Sequence, residues 1–144
     1  MVVKDRKKGA RYIMILAALS IVLVLAAGNE QNSIGAPKIK NTEDLKTFLL
    51  TLGWECDITN LSEQTTVLPE QFDDTFIAYN AIQLKQNCDL TKFAGKNVTV
   101  YTVPITNYTE TTDTVLATVI VYKGKVIGGD LHAAAMDGFM LPLK

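Results

Sequence analysis

The sequence has few residues of the types that carry most catalytic and metal chemistry. Among its 144 residues there are only two cysteines and one histidine, His132. Neither a nucleophile-elbow motif nor an HExxH-type spacing accompanies that histidine. Neither cysteine has a second Cys or His at the spacing of metal ligands. We therefore predict no catalytic residue, no cofactor and no metal for this chain.

Basic residues are scarce after the first eleven positions. Residues 1–11 carry five Lys or Arg against one Asp, a net charge of +4, whereas residues 12–144 carry nine Lys against fourteen Asp or Glu, a net charge of −5. Nucleic acid and anionic lipid headgroups are both bound by clustered Lys and Arg. A mildly acidic domain without a basic patch in its sequence is a poor candidate for either, and we predict no nucleic acid partner.

One long apolar run lies near the N-terminus. Residues 12–28 contain no charged residue, and Ser20 is the one polar interruption. As a helix this segment would be roughly 25 Å long, slightly short of the ~30 Å hydrocarbon core of a bilayer. Arg11 can extend to the interface and bridge the difference. The basic cluster before the run, and its absence after the run, predict a cytoplasmic N-terminus.

Two interpretations of this apolar run stay open. It is either a retained single-pass anchor or a signal peptide cleaved near Gly28, which would release a secreted product. In both cases the rest of the chain is extracytoplasmic, at the cell envelope. The predicted organisation is a cytoplasmic basic segment (1–11), a transmembrane anchor or signal peptide (12–28), a linker (29–40) and an extracytoplasmic domain (41–144).

The domain alternates between helical and strand patterns. Asn41 and the acidic residues after it predict the start of a helix that ends at Gly53, and a second helix is predicted over residues 70–87. Strands are predicted over residues 54–58, 65–68, 97–108, 115–122 and 125–131. The predicted fold class is α+β: an N-terminal transmembrane helix, then two helices packed on a mainly antiparallel sheet of four to five strands, which helix covers on one face.

Several short motifs occur together along the domain. They are Phe48-Leu49 with Gly53-Trp54-Glu55, Leu68-Pro69-x-x-Phe72, Tyr79-Asn80-x-x-Gln83, Asp89-Leu90, Gly95-Lys96, Asn107-Tyr108, the run from Val121-Tyr122 to Gly128-Gly129-Asp130, and Asp137-Gly138-Phe139-Met140. Over about residues 45–141 the chain resembles a family of small bacterial membrane-anchored proteins catalogued as domain of unknown function forty-eight-thirty. The resemblance implies an N-terminal anchor and an extracytoplasmic domain, and it implies no activity. Cys56, Cys88 and His132 depart from the family pattern.

Cys56 and Cys88 both lie in the predicted extracytoplasmic part. In an oxidising compartment an even number of cysteines suggests a disulfide between them. The alternative is two unpaired thiols, with Cys56 buried as a small apolar side chain.

The candidate binding surface consists of Tyr79, Asn80, Gln83, Asp130, Phe139 and Met140. Tyr79, Asn80 and Gln83 can share one helix face, where they either anchor the helix by buried hydrogen bonds or line a small-ligand groove. Phe139 and Met140 follow a turn and either tuck against the sheet or form a docking patch. Asp130 and His132 lie two positions apart on a strand, so they can pair on one face.

We expect a membrane-anchored extracytoplasmic domain that binds a protein or an envelope component and is not an enzyme. One alternative is a cell-envelope hydrolase that uses Asp130 and His132. Another is a sensor or inhibitor domain whose sheet edge receives an extended peptide along Asn97–Tyr108, where Pro104 hints at an edge or a bulge.

Overall fold

The computed structural model describes residues 37–144. Its helices are α1 (Thr42–Thr51) and α2 (Asp74–Leu84), with short 3₁₀ helices at Ile58–Asn60 and Leu90–Phe93. Its strands are β1 (Ser62–Val67), β2 (Asn97–Ile105), β3 (Val115–Tyr122), β4 (Lys125–Ala133) and β5 (Met140–Leu141). They form one sheet in the order β1-β2-β3-β4-β5, and every neighbouring pair is antiparallel. The prediction of two helices on a mainly antiparallel sheet is therefore confirmed.

The predicted membrane segment, residues 12–28, lies outside the described residues. Among residues 37–144, none of the helices has the length and apolar character needed to cross a membrane.

The domain begins earlier than the predicted boundary at residue 41. Ile39 is buried in the core, and its N–H donates to the carbonyl oxygen of Gly124 at 2.6 Å. Lys38 forms an isolated antiparallel bridge with Lys125. The end of the predicted linker is therefore part of the domain, because Ile39 fills core space beside the β3–β4 turn.

The first helix begins and ends where its local signals predict. The Asn41 side chain accepts a hydrogen bond from the N–H of Asp44 at 2.9 Å, which satisfies one of the free donors at the helix start. Gly53 adopts a φ of +92°, a left-handed conformation that glycine adopts without a side-chain penalty. The helix buries Leu45, Phe48 and Leu49, and each contributes about 2 kcal/mol relative to exposure.

The second helix is shorter than the predicted range of 70–87. Asp73 caps it by accepting a hydrogen bond from the N–H of Phe76 at 2.9 Å, so the helix begins at Asp74. At the other end Asn87 adopts a φ of +58°, which interrupts the helical backbone after the Lys85 cap.

The prediction of a strand over residues 54–58 is wrong. Asp57 caps a 3₁₀ helix instead, accepting a hydrogen bond from the N–H of Thr59 at 3.0 Å. The segment touches the sheet through an isolated bridge between Cys56 and Ile105 and a hydrogen bond from the N–H of Asp57 to Pro104 at 2.9 Å. The apolar alternation therefore reflects a short contact with the sheet edge, and the ladder does not continue because Asp57 turns the chain.

The two helices lie on opposite faces of the sheet, not on one face as expected. One core contains the apolar side of α1 and residues such as Val103, Ala117 and Val119. A second core contains Phe76 of α2 and strand residues of the other parity, such as Ile120. The sequence of β3, which is covered on both faces, is almost continuously apolar, whereas β2 alternates apolar with polar residues, so strand patterns alone did not reveal that both faces are covered.

The edge of the sheet is β1, whereas β2 lies inside the sheet between β1 and β3. The expectation of a peptide-binding edge along Asn97–Tyr108 is therefore wrong. Pro104 is compatible with this interior strand because its carbonyl oxygen faces Asp57, beyond the end of β1. Its missing N–H thus costs no ladder hydrogen bond.

Of the two alternatives for Cys56 and Cys88, the structure shows the second: no disulfide is formed, and both thiols are free. Cys56 bridges to Ile105, which pairs with Val115 of β3, whereas Cys88 lines a cleft with Val126, which pairs with Val121. Val115 and Val121 are six residues apart along β3, which is about 20 Å at ~3.3 Å per residue. A disulfide needs Cα atoms within about 7 Å, so the sheet register keeps the cysteines apart.

Candidate functional site

The C-terminal half of α2 crosses the open edge of β4. There, β5 covers Leu131 and His132 but does not reach Gly129. Two buried glutamines take its place: Gln83 Oε1 accepts from the N–H of Gly129 at 2.8 Å, and Gln86 Nε2 donates to the Gly129 carbonyl oxygen at 2.7 Å. The two amides therefore satisfy backbone groups that a neighbouring strand would otherwise pair.

Gly128 and Gly129 allow this close approach. A Cβ on Gly128 would lie 2.8 Å from Gln83 Oε1, and a Cβ on Gly129 would lie 2.4 Å from the Thr118 carbonyl oxygen. The β3–β4 register also shifts between Ile120 and Val121, the mark of a β-bulge. Gly128 thus permits close packing of helix on strand, whereas Gly129 permits close packing against β3 and Leu143.

A chain of three polar side chains lies beside this crossing, under α2. The Tyr79 hydroxyl donates to Asp130 Oδ2 at 2.6 Å, and His132 Nδ1 donates to Asp130 Oδ1 at 2.7 Å. Because a carboxylate accepts hydrogen bonds, this contact places a proton on Nδ1 of His132. The Asp130 residue is 2% exposed, whereas the His132 side chain is 24% exposed, so the chain runs from the interior to solvent.

The environment of Tyr79 favours its protonated form. Burial, followed by the charge and hydrogen bond of Asp130, raises the pKa of Tyr79 well above its usual range. The side-chain amide of Gln83 lies near the Tyr79 hydroxyl and lowers the pKa of Tyr79. The buried Nε2 atom of Gln83 nevertheless has no hydrogen-bond partner within bonding distance. Tyr79 is therefore a hydrogen-bond donor at any physiological pH.

An apolar groove of about 280 Å³ separates the first half of α2 from the sheet. We call it the helix groove; its lining comprises Thr66, Leu68, Thr75, Phe76, Tyr79, Val100, Thr118 and Ile120. Tyr79 forms part of the wall, and Thr118 stands opposite Asp130 in the β3–β4 register. The helix groove is therefore apolar along its length, and the Asp130 carboxylate lies behind its inner wall.

The structure separates the predicted trio on α2 into different roles. Asn80 Oδ1 accepts from the N–H of Leu90 at 2.8 Å, and Asn80 Nδ2 donates to Asp89 at 3.1 Å. Asn80 and Gln83 are both buried and hold the chain that follows the helix. Tyr79 alone reaches the groove wall.

Phe139 and Met140 lie on the far side of β4. Phe139 is half-buried and stacks on Tyr108 with ring centroids 5.3 Å apart. Met140 pairs with His132 in β5 and is 44% exposed. Neither residue lines the helix groove, so the six predicted surface residues do not form one continuous patch.

The sequence interpretation missed the edge strand β1 as a functional feature. All six residues of β1 are exposed, and its outer side pairs with no strand among residues 37–144. The Leu68 N–H and carbonyl both bond toward β2, to Lys96 and Gly95. Since backbone direction alternates along a strand, the N–H groups of Glu63, Thr65 and Val67 point outward. The position of β1 at the edge of the sheet follows from strand order, which no local sequence pattern encodes.

Within residues 37–144 the geometry offers a hydrogen-bonded pair, Asp130 and His132, near an apolar groove. His132 and Asp130 form an acid–base pair, and a hydrolase would also need a nucleophile or a metal-bound water. Among residues 37–144, no group of three or more His, Cys, Asp or Glu side chains is arranged to hold a metal ion.

Residues 37–144 thus define an α+β domain in which a five-stranded meander carries one helix on each face. The model of the family described as domain of unknown function (DUF4830) matches residues 48–131, and the chain belongs to this family. The matched span includes Tyr79 and Asp130 and ends one residue before His132. The resemblance noted from the sequence motifs is therefore confirmed. No curated protein and no solved structure shows a significant match to the chain.

Proposed function

We propose that this protein is a membrane-tethered, extracytoplasmic binding module without enzymatic activity, which takes an extended segment of a protein partner along β1. The observation that carries the proposal is the exposed edge of β1, where the N–H groups of Glu63, Thr65 and Val67 point outward. An extended peptide that pairs with such an edge gains main-chain hydrogen bonds without any rearrangement of the sheet.

The helix groove would supply side-chain selectivity for this partner. Thr66 and Leu68 of β1 line the groove, so a strand added beside β1 would direct every second side chain toward the α2 face of the sheet. Phe72 and Phe76, 5.3 Å apart between ring centroids, lie on that face. We therefore expect the partner segment to alternate apolar with polar residues.

The tether rests on the sequence of the N-terminal segment. Residues 12–28 are uncharged and follow a basic cluster, which supports a single span with the domain outside the cytoplasm. The alternative is secretion after cleavage near Gly28. The mass of the mature chain, recovered from both the membrane fraction and the medium, distinguishes the two, because cleavage would remove the first 28 residues and release the rest.

Site-specific crosslinking in intact cells tests the edge. A photoreactive amino acid at Gln64 should capture the partner, whereas the same group at Thr112, in the loop between β2 and β3, should not. Thr65→Pro should abolish the adduct, because proline removes an outward N–H while sparing the bonds from β1 to β2. Thr65→Val keeps that N–H and is the matched control. An adduct that survives Thr65→Pro unchanged would contradict the proposal.

The contact between Asp130 and His132 favours a second candidate, a cell-envelope hydrolase. The carboxylate holds Nδ1 at 2.7 Å, and the His132 side chain is 24% exposed, an arrangement in which a carboxylate orients a histidine as a general base. A turnover that disappears in His132→Ala, while Thr65→Pro has no effect, would favour the hydrolase over the binding module.

A further inference from the structure

We propose that one end of the domain docks on the anionic headgroups of the same bilayer that the apolar segment spans. This inference rests on the proposed membrane tether and adds to it the orientation of the domain. We call the surface the basic end and define it by Lys38, Lys92, Lys96, Lys123 and Lys125, all of them exposed.

Strand register gathers these lysines from distant parts of the sequence. Lys38 bridges to Lys125, and Lys92 lines the same cleft as Lys125. Lys123 lies in the β3–β4 turn, and Lys96 immediately precedes β2, whose Thr99 pairs with Val121 near the end of β3. The five side chains therefore lie at the same end of the sheet. The sequence shows no basic patch because 87 positions separate Lys38 from Lys125.

The acidic residues near the basic end do not cancel this charge. Asp89 and Glu70 lie there, and these two carboxylates reduce the charge of the five lysines to +3. Asp89 is also engaged by hydrogen bonds from Thr91 and Asn80. Lys40, Glu43 and Asp44 also adjoin this end, since Asp44 accepts a hydrogen bond from the N–H of Lys40 at 2.8 Å, and they lower the net charge to +2.

Aromatic side chains lie among these lysines. Lys123 Nζ lies 5.4 Å from the centroid of the Tyr122 ring, and Tyr122 and Phe93 lie 5.3 Å apart. Lysines combined with aromatic rings are typical of surfaces that contact the headgroup region of membranes.

The opposite end of the sheet has the opposite charge. Its loops, residues 52–61, 106–114 and 134–139, contain no Lys or Arg. They carry the carboxylates Glu55, Asp57, Glu110, Asp113 and Asp137. An anionic surface therefore attracts one end of the domain and repels the other, which gives a preferred orientation.

The chain reaches the domain at the basic end. Eight residues, 29–36, separate the apolar segment from Pro37, and they span at most about 30 Å when fully extended. Lys38 enters the fold beside Lys125. A short connection thus holds these lysines near the bilayer, and attraction to lipid becomes effective within a Debye length of ~8 Å. Docking in this orientation leaves the β1 edge open at the side.

Amine labelling of the full chain in vesicles tests the orientation. We expect acetylation of Lys92, Lys96, Lys123 and Lys125 to slow several-fold in vesicles of phosphatidylcholine with phosphatidylglycerol, relative to phosphatidylcholine alone. Lys46 and Lys144 are internal controls: Lys46 lies near Cys56, and Lys144 follows Leu143, whose carbonyl oxygen accepts from Trp54. Salt at ~1 M, where the Debye length is ~3 Å, should remove the protection.

A charge-neutral variant supplies the second arm. In the unmodified chain, docking should slow hydrogen exchange of the β3–β4 turn in the mixture with phosphatidylglycerol. A variant that combines Lys92→Gln, Lys96→Gln, Lys123→Gln and Lys125→Gln should exchange equally in both lipid mixtures. The control variant, Lys46→Gln with Lys144→Gln, should keep the difference between the mixtures. A chain that fails to float with either vesicle contradicts the tether. A chain that floats with both but is labelled equally in both contradicts the docking alone.

Discussion

Gln86 donates a hydrogen bond from Nε2 to the carbonyl oxygen of Gly129 at 2.7 Å and thereby occupies the position of a missing strand. The same side chain accepts a hydrogen bond from the N–H of Leu143 at 2.9 Å through Oε1. One glutamine thus connects α2, the edge of β4 and the C-terminal segment of the chain. Gln86 is 1% exposed, so water cannot replace these bonds.

Gln86→Leu should therefore destabilise the domain strongly. The substitution leaves the Gly129 carbonyl and the Leu143 N–H buried without partners, and each such group costs about 1–3 kcal/mol. We expect the free energy of unfolding to fall by about 2–4 kcal/mol in urea titration. Gln71→Leu, at an exposed position, is the matched control and should change it by less than about 0.5 kcal/mol. Equal stability of the two variants would contradict this role.

Gly129→Ala should be among the most damaging single-methyl additions. Its Cβ would lie 2.4 Å from the Thr118 carbonyl oxygen and 2.5 Å from Leu143 Cδ1, so the backbone itself must shift. We expect a loss of about 3 kcal/mol in thermal or urea unfolding. Gly53→Ala is the comparison, because its Cβ meets no atom within 4 Å and the cost is the left-handed backbone alone, about 1 kcal/mol. A reversed order of the two would refute the close-contact explanation.

Tyr79 should make the domain sensitive to alkaline pH. Burial and Asp130 raise its pKa above the ordinary value of about 10. The unfolded chain therefore releases this proton near about pH 10 while the folded chain retains it, and the free energy of unfolding falls as pH rises beyond that point. Tyr79→Phe should show a shallower fall between about pH 9 and 11. Parallel pH profiles for the two proteins would contradict the assignment.

At neutral pH the same variant should be moderately less stable. Tyr79→Phe leaves Asp130 with one fewer hydrogen bond at a buried carboxylate, which costs about 1–3 kcal/mol. Urea titration near pH 7 measures this term separately from the alkaline effect.

The cysteines should remain separate under oxidising conditions. Burial raises the pKa of the Cys88 thiol to about 11, so little of it is thiolate near neutral pH. Alkylation of the folded protein should modify the half-buried Cys56 first. A thiol oxidant should leave both cysteines unbonded to each other by peptide mass mapping, whereas the urea-unfolded chain should form the bridge. A Cys56–Cys88 peptide from folded protein would contradict the sheet register.

Local signals predicted the parts of the fold that depend on neighbouring residues. The cap at Asn41 and the glycine at Gly53 mark the ends of α1, and the predicted range of β3 coincides with Val115–Tyr122. Lys123 and Gly124, with φ values of +48° and +80°, form the tight turn between the predicted strands 115–122 and 125–131. The two-residue period of a strand also anticipated the contact of Asp130 with His132.

The predictions that depended on distant residues were less successful, and the reason is the same in each case. Alternation over residues 54–58 matches a strand, but Asp57 finds capping partners that end the ladder. The helical face of Tyr79, Asn80 and Gln83 was identified, but Tyr79 and Gln83 bond to adjacent residues of β4 whereas Asn80 bonds to Asp89 and Leu90. A local pattern indicates that a side chain is buried or paired, but it does not identify the residues with which that side chain packs or bonds.

The sequence by itself determined the two helices, the strands β2, β3 and β4, and the family to which the chain belongs, because caps, turns and apolar periods are properties of adjacent residues. Only the tertiary structure decided that β1 is the exposed edge, that two glutamines close the edge of β4, and that Cys56 and Cys88 lie apart. It also decided that five scattered lysines share one end. These features depend on strand order and register, which arise when segments far apart in the chain pack together.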